Sequence, residues 1–144
     1  LGADRAVNYK TVDFVKSVRD ATNGKGANVI LDMVGGSYIA RNYDAAAEDG
    51  RIVQIAFLGG SRSETDFMKL MTKRLTHTGS TLRARSTEFK AHLARELEAK
   101  VWPLLEERTV VPVMDRIFPL KEAWRALERM VVGQNIGKIV LDVA

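Results

Sequence analysis

The sequence predicts an α/β protein built on a doubly wound parallel sheet, and three observations support this fold class. Two apolar, β-branched runs, residues 27–33 (ANVILDM) and 51–57 (RIVQIAF), show no polar–apolar alternation, which is typical of strands buried on both faces. Segments with the apolar spacing of amphipathic helices separate these runs from their neighbours. The connections are short, so we expect each strand–helix–strand crossover to be right-handed.

Strands and helices are predicted to alternate through the first part of the chain. We expect strands at residues 5–9, 27–33, 51–57 and 75–82, the last rich in threonine and therefore nearer an edge of the sheet. Thr11 is predicted to cap the first helix, which stops near Asn23-Gly24. The second helix is predicted to start at Ser37 and end at Asp49-Gly50, and the third covers residues 66–73.

The pattern changes after Ser86. Apolar residues recur every four positions and predict one amphipathic helix over about residues 87–107, with its apolar stripe at Phe89, Leu93, Leu97, Val101 and Leu105. Pro103 is expected to kink or break this helix. A short strand at 113–118, a helix introduced by Pro119 and ended at Gly133, and a strand at 138–143 complete the prediction.

The composition excludes several classes of protein and site. With 46% apolar and 28% charged residues, the 144-residue chain is ordinary for a soluble globular protein. No apolar run approaches the ~18 residues that a membrane span needs, and the first residues do not form a signal-peptide pattern. The absence of cysteine excludes disulfides, thiolate metal sites and a cysteine nucleophile. It fits a reducing compartment, and we expect a cytoplasmic protein without membrane contact.

The charge pattern favours a solvated surface over a polyanion site. The net charge is +4 and the pI is about 9.5, which is only mildly basic. A nucleic-acid site needs lysines and arginines gathered on one face with aromatic residues between them. The densest basic group has no such aromatics and consists of Lys69, Lys73, Arg74, Arg83 and Arg85. We therefore predict no nucleic-acid partner.

Two glycine pairs are the strongest candidates for a ligand-binding edge. Gly35-Gly36 and Gly59-Gly60 each follow a predicted buried strand, and ligands of doubly wound sheets bind at the carboxyl ends of the strands. Glycine there lets the backbone approach a ligand, although a turn with positive φ needs glycine as well. The dinucleotide fingerprint G-x-G-x-x-G is absent, and Gly24-Lys25-Gly26 lies between a helix and a strand, where a cap is expected.

Side chains that carry chemistry are few. His77 and His92 lack neighbours at metal-ligand spacing, so we predict no metal site, and no serine lies in a G-x-S-x-G motif. Asp32 ends a predicted parallel strand. It is a candidate general base, but a cap or a ribose partner is the more common role of an acid at that position.

Five segments of this sequence resemble the quinone oxidoreductase (zeta-crystallin-like) branch of the zinc-free medium-chain dehydrogenase/reductases. They are LGADRAVNYK, ILDMVGGSYIARN, DGRIVQIAFLGG, GSTLRARS and RIFPLKEAWRALERMVVGQNIGKIVL. The resemblance covers essentially the whole chain but corresponds only to the C-terminal portion of the family's longer proteins. It implies a partial Rossmann-type sheet lacking its first two strands in residues 1–110. Residues 111–144 would then be the C-terminal helix and strand of the catalytic domain.

The resemblance also implies a cofactor, a reaction and a set of binding residues. Members of the branch transfer a hydride from NADPH to a quinone or another α,β-unsaturated carbonyl without zinc, and the features that select NADPH are expected outside this chain. Tyr9 would lie by the adenosine ribose-phosphate and Gly35 and Gly36 beside the ribose. The remaining residues would meet the nicotinamide end and are Ala56, Phe57, Leu58, Ser80, Thr81, Leu82 and Asn135. No catalytic acid or base is implied within this chain, and alone it is expected to be inactive.

Association and two further functional readings complete the predictions. Because apolar strand edges invite pairing, we expect self-association, and the resemblance implies a homodimer through strand 75–82. The strand at 138–143 is expected to be poorly held, since its family partners lie outside this chain. The alternatives are a non-catalytic dimerisation or binding module and another Rossmann-type enzyme. That enzyme would be an enoyl reductase or a methyltransferase. The C-terminal motifs favour the reductase and disfavour the methyltransferase.

Overall fold

The computed structural model describes residues 2–143. The chain forms two compact units. The N-terminal unit is Gly2–Ser86, and the C-terminal unit begins at Thr87. Each unit contains its own parallel strands and helices. Both units therefore have the α/β character that the sequence predicts. The assignment of residues 1–110 and 111–144 to two parent domains stays a prediction.

The N-terminal unit is a three-stranded parallel sheet with strand order β1-β2-β3. Its elements in chain order are α1 (Phe14–Ala21), β1 (Ala27–Asp32), α2 (Tyr38–Ala45), β2 (Ala46–Gln54), α3 (Met68–Thr72) and β3 (Thr76–Gly79). Ile52 of β2 and Tyr43 of α2 are fully buried and form the centre of the core with Leu75. The core thus lies on the face of the sheet that α2 covers.

The other face of β1 is exposed and apolar. Val29 and Leu31 keep 65% and 62% of their surface exposed to solvent, whereas Ile30 between them packs against the core. β1 is also an edge strand. In the described chain, residues 5–9 join neither sheet, so the predicted strand there is wrong. A strand needs a neighbour to satisfy its backbone hydrogen bonds, and no strand hydrogen-bonds to this segment.

The first helix is capped two residues later than predicted. Asp13, and not Thr11, is the N-cap, and its carboxylate accepts the backbone N–H of Val15 at 3.0 Å. Arg41 of α2 donates to the same oxygen at 2.8 Å and lies over the Phe14 ring. The Arg41 hydrogen bond, followed by that of Val15, lowers the pKa of Asp13 below its usual value. Asp13 therefore links α1 to α2 as well as starting α1.

The second helix ends at Ala45, four residues before the predicted Asp49-Gly50 stop. Lys73 from the end of α3 donates its Nζ to the backbone carbonyls of Tyr43, Asp44 and Ala46, at 2.8, 3.1 and 2.8 Å. A cation that satisfies the free carbonyls of a helix C-terminus stabilises that end. Burial lowers the pKa of Lys73. The chain then enters β2 directly, so β2 begins at Ala46 and not at residue 51.

The remaining helix and strands of this unit end earlier or begin later than the sequence indicates. β2 ends at Gln54 and not at residue 57, and β3 spans Thr76–Gly79 and not 75–82. α3 begins at Met68, where the Asp66 side chain accepts the Met68 N–H. The segments that the sequence assigned to strand ends, including residues 55–57 and 80–82, therefore belong to the loops at the carboxyl edge of the sheet.

The C-terminal unit contains four helical segments and a two-stranded parallel sheet in its described residues. The elements are α4 (Thr87–Lys100), α5 (Trp102–Glu106), β4 (Met114–Pro119), a 3-10 turn (Leu120–Glu122), α6 (Ala123–Val132) and β5 (Lys138–Asp142). The predicted break at Pro103 is confirmed, because Pro103 lies in the first turn of α5. Gly133 ends α6 in the left-handed conformation, with φ 68°.

The last strand is held within the chain, contrary to the sequence prediction. β5 pairs in parallel with β4, from Met114 with Lys138 to Pro119 with Asp142. The predicted strand 113–118 supplies this partner, since β4 occupies nearly the same residues. The expectation that residues 138–143 would be poorly held is therefore wrong.

Candidate functional site

Asp32 holds together the turn that follows β1. One carboxylate oxygen accepts the backbone N–H groups of Val34 at 2.6 Å and Gly35 at 3.1 Å. The other accepts Asn42 Nδ2 of α2 at 2.9 Å, and the side chain is buried. Because its bonds are used by the turn and by α2, the geometry favours the capping role over a general base.

The two glycine pairs pack against each other. Gly36 donates its N–H to the carbonyl of Gly60 at 2.7 Å, and Gly59 donates to Val34 at 2.7 Å. A Cβ on Gly36 would lie 2.5 Å from the Gly59 oxygen, and φ of Gly36 is +54°. The turn therefore requires glycine for its backbone conformation and for loop–loop contact, whether or not a ligand binds there.

An apolar cavity of about 500 Å³ opens beside these loops. The predicted site residues Tyr9 and Leu58 both line it, which brings together two segments 49 positions apart in the chain. The other lining residues are Phe14, Met33, Val34, Tyr38 and Gly59. Phe14 and Tyr38 stack with their ring centroids 5.3 Å apart. The volume lies in the range of small-molecule sites, and aromatic walls of this kind suit a flat ring.

The other predicted residues of this unit lie in the adjacent loops. The carbonyl of Ala56 accepts Gln54 Nε2 at 2.6 Å, and the Phe57 ring lies against Gly35. Ser80 donates its N–H to the Gln54 carbonyl at 3.0 Å, whereas Thr81 and Leu82 are exposed beyond β3. Ala56, Phe57 and Ser80 thus follow the ends of neighbouring strands at the carboxyl edge of the sheet.

Asn135 lies in the C-terminal unit. Its side-chain Nδ2 donates to the carbonyl of Gly137 at 3.2 Å, between α6 and β5. This contact organises the loop that leads into β5. In the structure, Asn135 makes a contact within its own loop. Its contact with a cofactor stays a prediction.

The residues predicted from the sequence do not include Gln54, which ends β2 and links it to the ends of β1 and β3. Its Nε2 donates to the carbonyls of Asp32 and Ala56, and its own carbonyl accepts from Ser80. Gln54 is 6% exposed. A signal was present in the sequence, because a glutamine inside the apolar run RIVQIAF must find hydrogen-bond partners when buried.

Three members of the basic group that the sequence singled out are engaged within the unit. Lys69 contacts Asp44, and Arg74 pairs with Asp49 at 2.8 Å and with Glu48 at 3.3 Å. Lys73 caps α2, as described above. These contacts give Lys69, Lys73 and Arg74 structural roles within the unit, and the absence of a nucleic-acid partner stays a prediction.

Neither a metal cluster nor a membrane-spanning helix occurs in the described residues. Among residues 2–143, no group of three or more histidine, cysteine, aspartate and glutamate side chains is placed to hold a metal ion. Within the same residues, no helix is long and apolar enough to cross a membrane.

Comparison with known proteins relates the whole chain to reductases and dehydrogenases. It is 28% identical to prostaglandin reductase-3 of Mus musculus and 27% identical to quinone oxidoreductase-like protein 2 of Bos taurus, matching 99% of this chain in both cases. It spans only 41% and 40% of those proteins. It is also 27% identical to squalestatin tetraketide synthase of a Phoma species, matching 96% of this chain but 5% of the synthase.

The fold agrees with these matches. The crystal structure of an NAD-dependent alcohol dehydrogenase superposes with a TM-score of 0.73 and 31% identity, over 99% of this chain and 39% of that one. The family model described as zinc-binding dehydrogenase matches residues 1–141. This chain therefore belongs to the zinc-binding dehydrogenase family of the medium-chain dehydrogenase/reductase superfamily.

Proposed function

We propose that this chain forms part of an oxidoreductase that transfers a hydride from NADPH to a quinone or another α,β-unsaturated carbonyl compound. The observation that carries the proposal is the pair of interlocked glycine loops beside an aromatic, apolar cavity at the carboxyl edge of a parallel sheet. This edge is where doubly wound sheets bind nucleotide cofactors. The matches to a prostaglandin reductase and a quinone oxidoreductase-like protein support the reaction class.

The residues at this edge fit the rings of a dinucleotide and not its phosphates. Tyr9, Phe14 and Tyr38 offer aromatic surface, and Leu58 and Val34 offer aliphatic surface, for an uncharged ring. The sequence contains no glycine-rich phosphate loop. When bound, the nicotinamide cofactor supplies the hydride, whereas the protein binds, orients and shields the reacting atoms. Leu58 and Gly59 line the cavity, and Gly35, Gly36 and residues 80–82 lie in neighbouring loops of the same edge.

The residues of this chain do not fit a zinc centre. Cysteine is absent from the sequence, and its two histidines, His77 and His92, fall in different units. The described side chains form no cluster of metal ligands. We therefore assign no zinc-dependent step to these residues.

Cofactor titration followed by NMR tests the proposal directly. ¹⁵N-labelled chain is titrated with NADPH and, separately, with NADH, because weak binding is expected without a phosphate loop. We expect the amide resonances of residues 33–38 and 56–60 to shift most, and NADPH to bind at least as well as NADH. Shifts confined to other parts of the chain, or none at either loop, would contradict the proposed site.

Two equally exposed residues provide a matched pair of variants. Leu58 lines the cavity and Val143 does not, yet each keeps 79% of its surface exposed. Leu58→Asp places a negative charge at the proposed ring site and should weaken cofactor binding about tenfold or more, since a bound ring would remove the exposed carboxylate from water. Val143→Asp controls for the added charge and should leave the affinity unchanged. Equal effects of the two substitutions would argue against the cavity.

An enoyl reductase of the same superfamily is the second candidate function. The match to a tetraketide synthase favours it. The two functions differ in the hydride acceptor, so they are separated by assaying a longer protein that contains this chain. Following NADPH oxidation with a quinone and with an enoyl thioester identifies the better acceptor.

A further inference from the structure

The outward side of α6 is apolar. Leu120, in the 3-10 turn before the helix, Trp124, Leu127 and Val131 follow one another at intervals of four, three and four residues, which places them on one side of a helix. We call these four residues the α6 stripe. Trp124, Leu127 and Val131 keep 64%, 61% and 87% of their surface exposed, and Leu120 is exposed as well. Within residues 2–143, most of the stripe is therefore left uncovered.

The sides of α6 that point away from the stripe are already engaged. Ala126 is buried, and Arg125 pairs with Glu122 at 2.5 Å. An amphipathic helix of a folded protein normally turns its apolar side towards a core, and a contiguous row of exposed large apolar side chains marks a contact surface. The stripe is therefore expected to be covered by a partner, and the charges along its border indicate which one.

Lys121 and Glu128 border the same flank of the stripe, about two helical turns apart. Among the described residues, neither side chain forms an ion pair. When two copies of α6 meet antiparallel, around a two-fold axis near Trp124, Lys121 of each copy faces Glu128 of the other. A parallel pair would place this flank against the opposite one, which carries Ala123 and Met130 and no charge. The charges therefore favour an antiparallel second copy.

We propose that the α6 stripe is a contact between two copies of this chain, paired antiparallel around a two-fold axis at Trp124. The two Trp124 side chains form the centre of the contact, and Leu127 of each copy packs on Leu120 of the other. Two pairs of Lys121 with Glu128 border it. Such a contact uses the same surface on both copies. It is separate from the edges of β1 and β3 and does not depend on cofactor binding.

The stripe is short, so the dimer is expected to form reversibly. Residues 120–131 span only about 18 Å of helix. Interfaces that bury less than about 1,200 Å² are typical of weak and transient complexes. The two ion pairs at the border are exposed to solvent, so added salt should weaken the dimer further. We therefore expect dimers at the concentrations used for NMR, and monomers on dilution.

The two tryptophans provide an internal comparison for the first experiment. Trp124 lies in the stripe, whereas Trp102 belongs to α5 and is also exposed. In a dilution series of ¹⁵N-labelled chain, the indole N–H resonance of Trp124 should shift with concentration and that of Trp102 should stay constant. Sedimentation equilibrium on the same samples measures the dimer. A monomer at every concentration, or dimers that leave the Trp124 resonance unchanged, overturns the proposal.

Two similarly exposed residues of α6 provide matched variants. Leu127 lies in the stripe, whereas Val132, 57% exposed, lines a groove with Arg116 and Phe118 on another side of the helix. Leu127→Glu should raise the dissociation constant of the dimer about tenfold or more, because the contact would remove a carboxylate from water. Val132→Glu should change it less than about twofold. Circular dichroism checks that both variants are folded, and equal effects of the two substitutions would contradict the stripe as the contact.

Charge reversal tests the antiparallel arrangement. Lys121→Glu and Glu128→Lys each place like charges opposite one another, and each should weaken the dimer on the order of fivefold at low salt. The double variant Lys121→Glu/Glu128→Lys restores both pairs and should dimerise like the original chain. An equal mixture of the two single variants should likewise form mixed dimers more tightly than either variant pairs with itself. If neither combination recovers the affinity, the antiparallel pairing is wrong.

Other occupants of the stripe would give different results. One is a lipid surface, which would broaden the Trp124 indole resonance on addition of phosphatidylcholine–phosphatidylglycerol vesicles while the chain itself stays monomeric. Another is a segment of a longer protein that contains this chain. In that case the longer protein would be monomeric and would protect Trp124 from hydroxyl-radical oxidation. Either result overturns the pairing of two copies through α6.

Discussion

Arg129 binds Asp115 through two parallel hydrogen bonds, from Nε to Oδ2 at 2.5 Å and from Nη2 to Oδ1 at 2.8 Å. The Asp115 side chain is only 8% exposed, and its Oδ1 also accepts the backbone N–H of Ile136 at 3.1 Å. The pair therefore connects β4, α6 and the loop that leads into β5. It explains why the last strand is well held, and it makes the stability of the C-terminal unit sensitive to acid.

We expect the C-terminal unit to lose stability as the pH falls from about 4 to about 2. The Arg129 hydrogen bond, followed by that from Ile136, lowers the pKa of Asp115 from 3.8 to about 2. Because the pKa of Asp115 is lower in the folded than in the unfolded protein, its ionised carboxylate stabilises the fold at pH values above the unfolded pKa. That stabilisation is lost as the pH falls through the pKa of Asp115 in the folded protein. Both tryptophans, Trp102 and Trp124, lie in this unit, so tryptophan fluorescence during thermal unfolding reports on it.

Asp115→Asn should lower the unfolding temperature near neutral pH and reduce its dependence on pH between 4 and 2. Glu98→Gln removes an exposed carboxylate from α4 and serves as the control, with little change in either quantity. An unchanged pH dependence in Asp115→Asn would show that other carboxylates control acid unfolding.

Gly36→Ala is expected to destabilise the N-terminal unit more than Gly24→Ala. Both glycines have positive φ, but a Cβ on Gly24 meets nothing within 4 Å, whereas one on Gly36 meets the Gly59 oxygen at 2.5 Å. The Gly24 substitution isolates the cost of the left-handed conformation, about 1–2 kcal/mol. Gly36→Ala should cost more than this in urea unfolding, because the second loop must also move. Equal costs would mean that the two loops separate easily.

Asp32→Ala is expected to cost about 1–3 kcal/mol, since it leaves the N–H groups of Val34 and Gly35 without their acceptor. Asp20→Ala is a suitable control, because the side-chain contact of Asp20 among residues 2–143 is an exposed ion pair with Lys16, and such pairs contribute about 0–1 kcal/mol. Urea unfolding followed by far-UV circular dichroism measures both. If the two variants are equally stable, Asp32 does not hold the turn.

Self-association through a sheet edge is expected, and the cysteine-free sequence makes it easy to map. Light scattering during gel filtration should show concentration-dependent dimers, because both β1 and β3 are edge strands. A single introduced cysteine should form a disulfide-linked dimer only where two copies meet. Crosslinking of Thr76→Cys supports the proposed homodimer through β3, and crosslinking of Leu31→Cys indicates pairing through β1. A monomer at all concentrations with neither crosslink contradicts both.

The sequence predicted the elements that carry their own local signals. The apolar run in β1, the break at Pro103 and the glycine end of α6 were each readable from residue type and spacing, and each is present. The predicted boundaries failed where a distant side chain decides the end of an element. α2 stops at Ala45 because Lys73, 28 residues further along the chain, takes its terminal carbonyls.

The candidate site also combines features with local sequence signals and features that depend on distant contacts. The glycine pairs do form turns with positive φ at the carboxyl edge of the sheet, since glycine after a buried strand indicates a turn with special backbone geometry. The sequence could not show that the pairs contact each other, or that Tyr9 reaches the cavity lined by Leu58. Gln54 was missed because its hydrogen bonds depend on how the ends of β1, β2 and β3 meet.

The sequence by itself determined the α/β class, the order of most elements and the relation to the medium-chain dehydrogenase/reductase superfamily, because these depend on local periodicity and on motifs in a continuous stretch. The tertiary structure decided which loops meet, which buried polar groups find partners and that β5 pairs with β4. Those outcomes depend on hydrogen bonds and contacts between segments far apart in the chain, and no local pattern of residues specifies them.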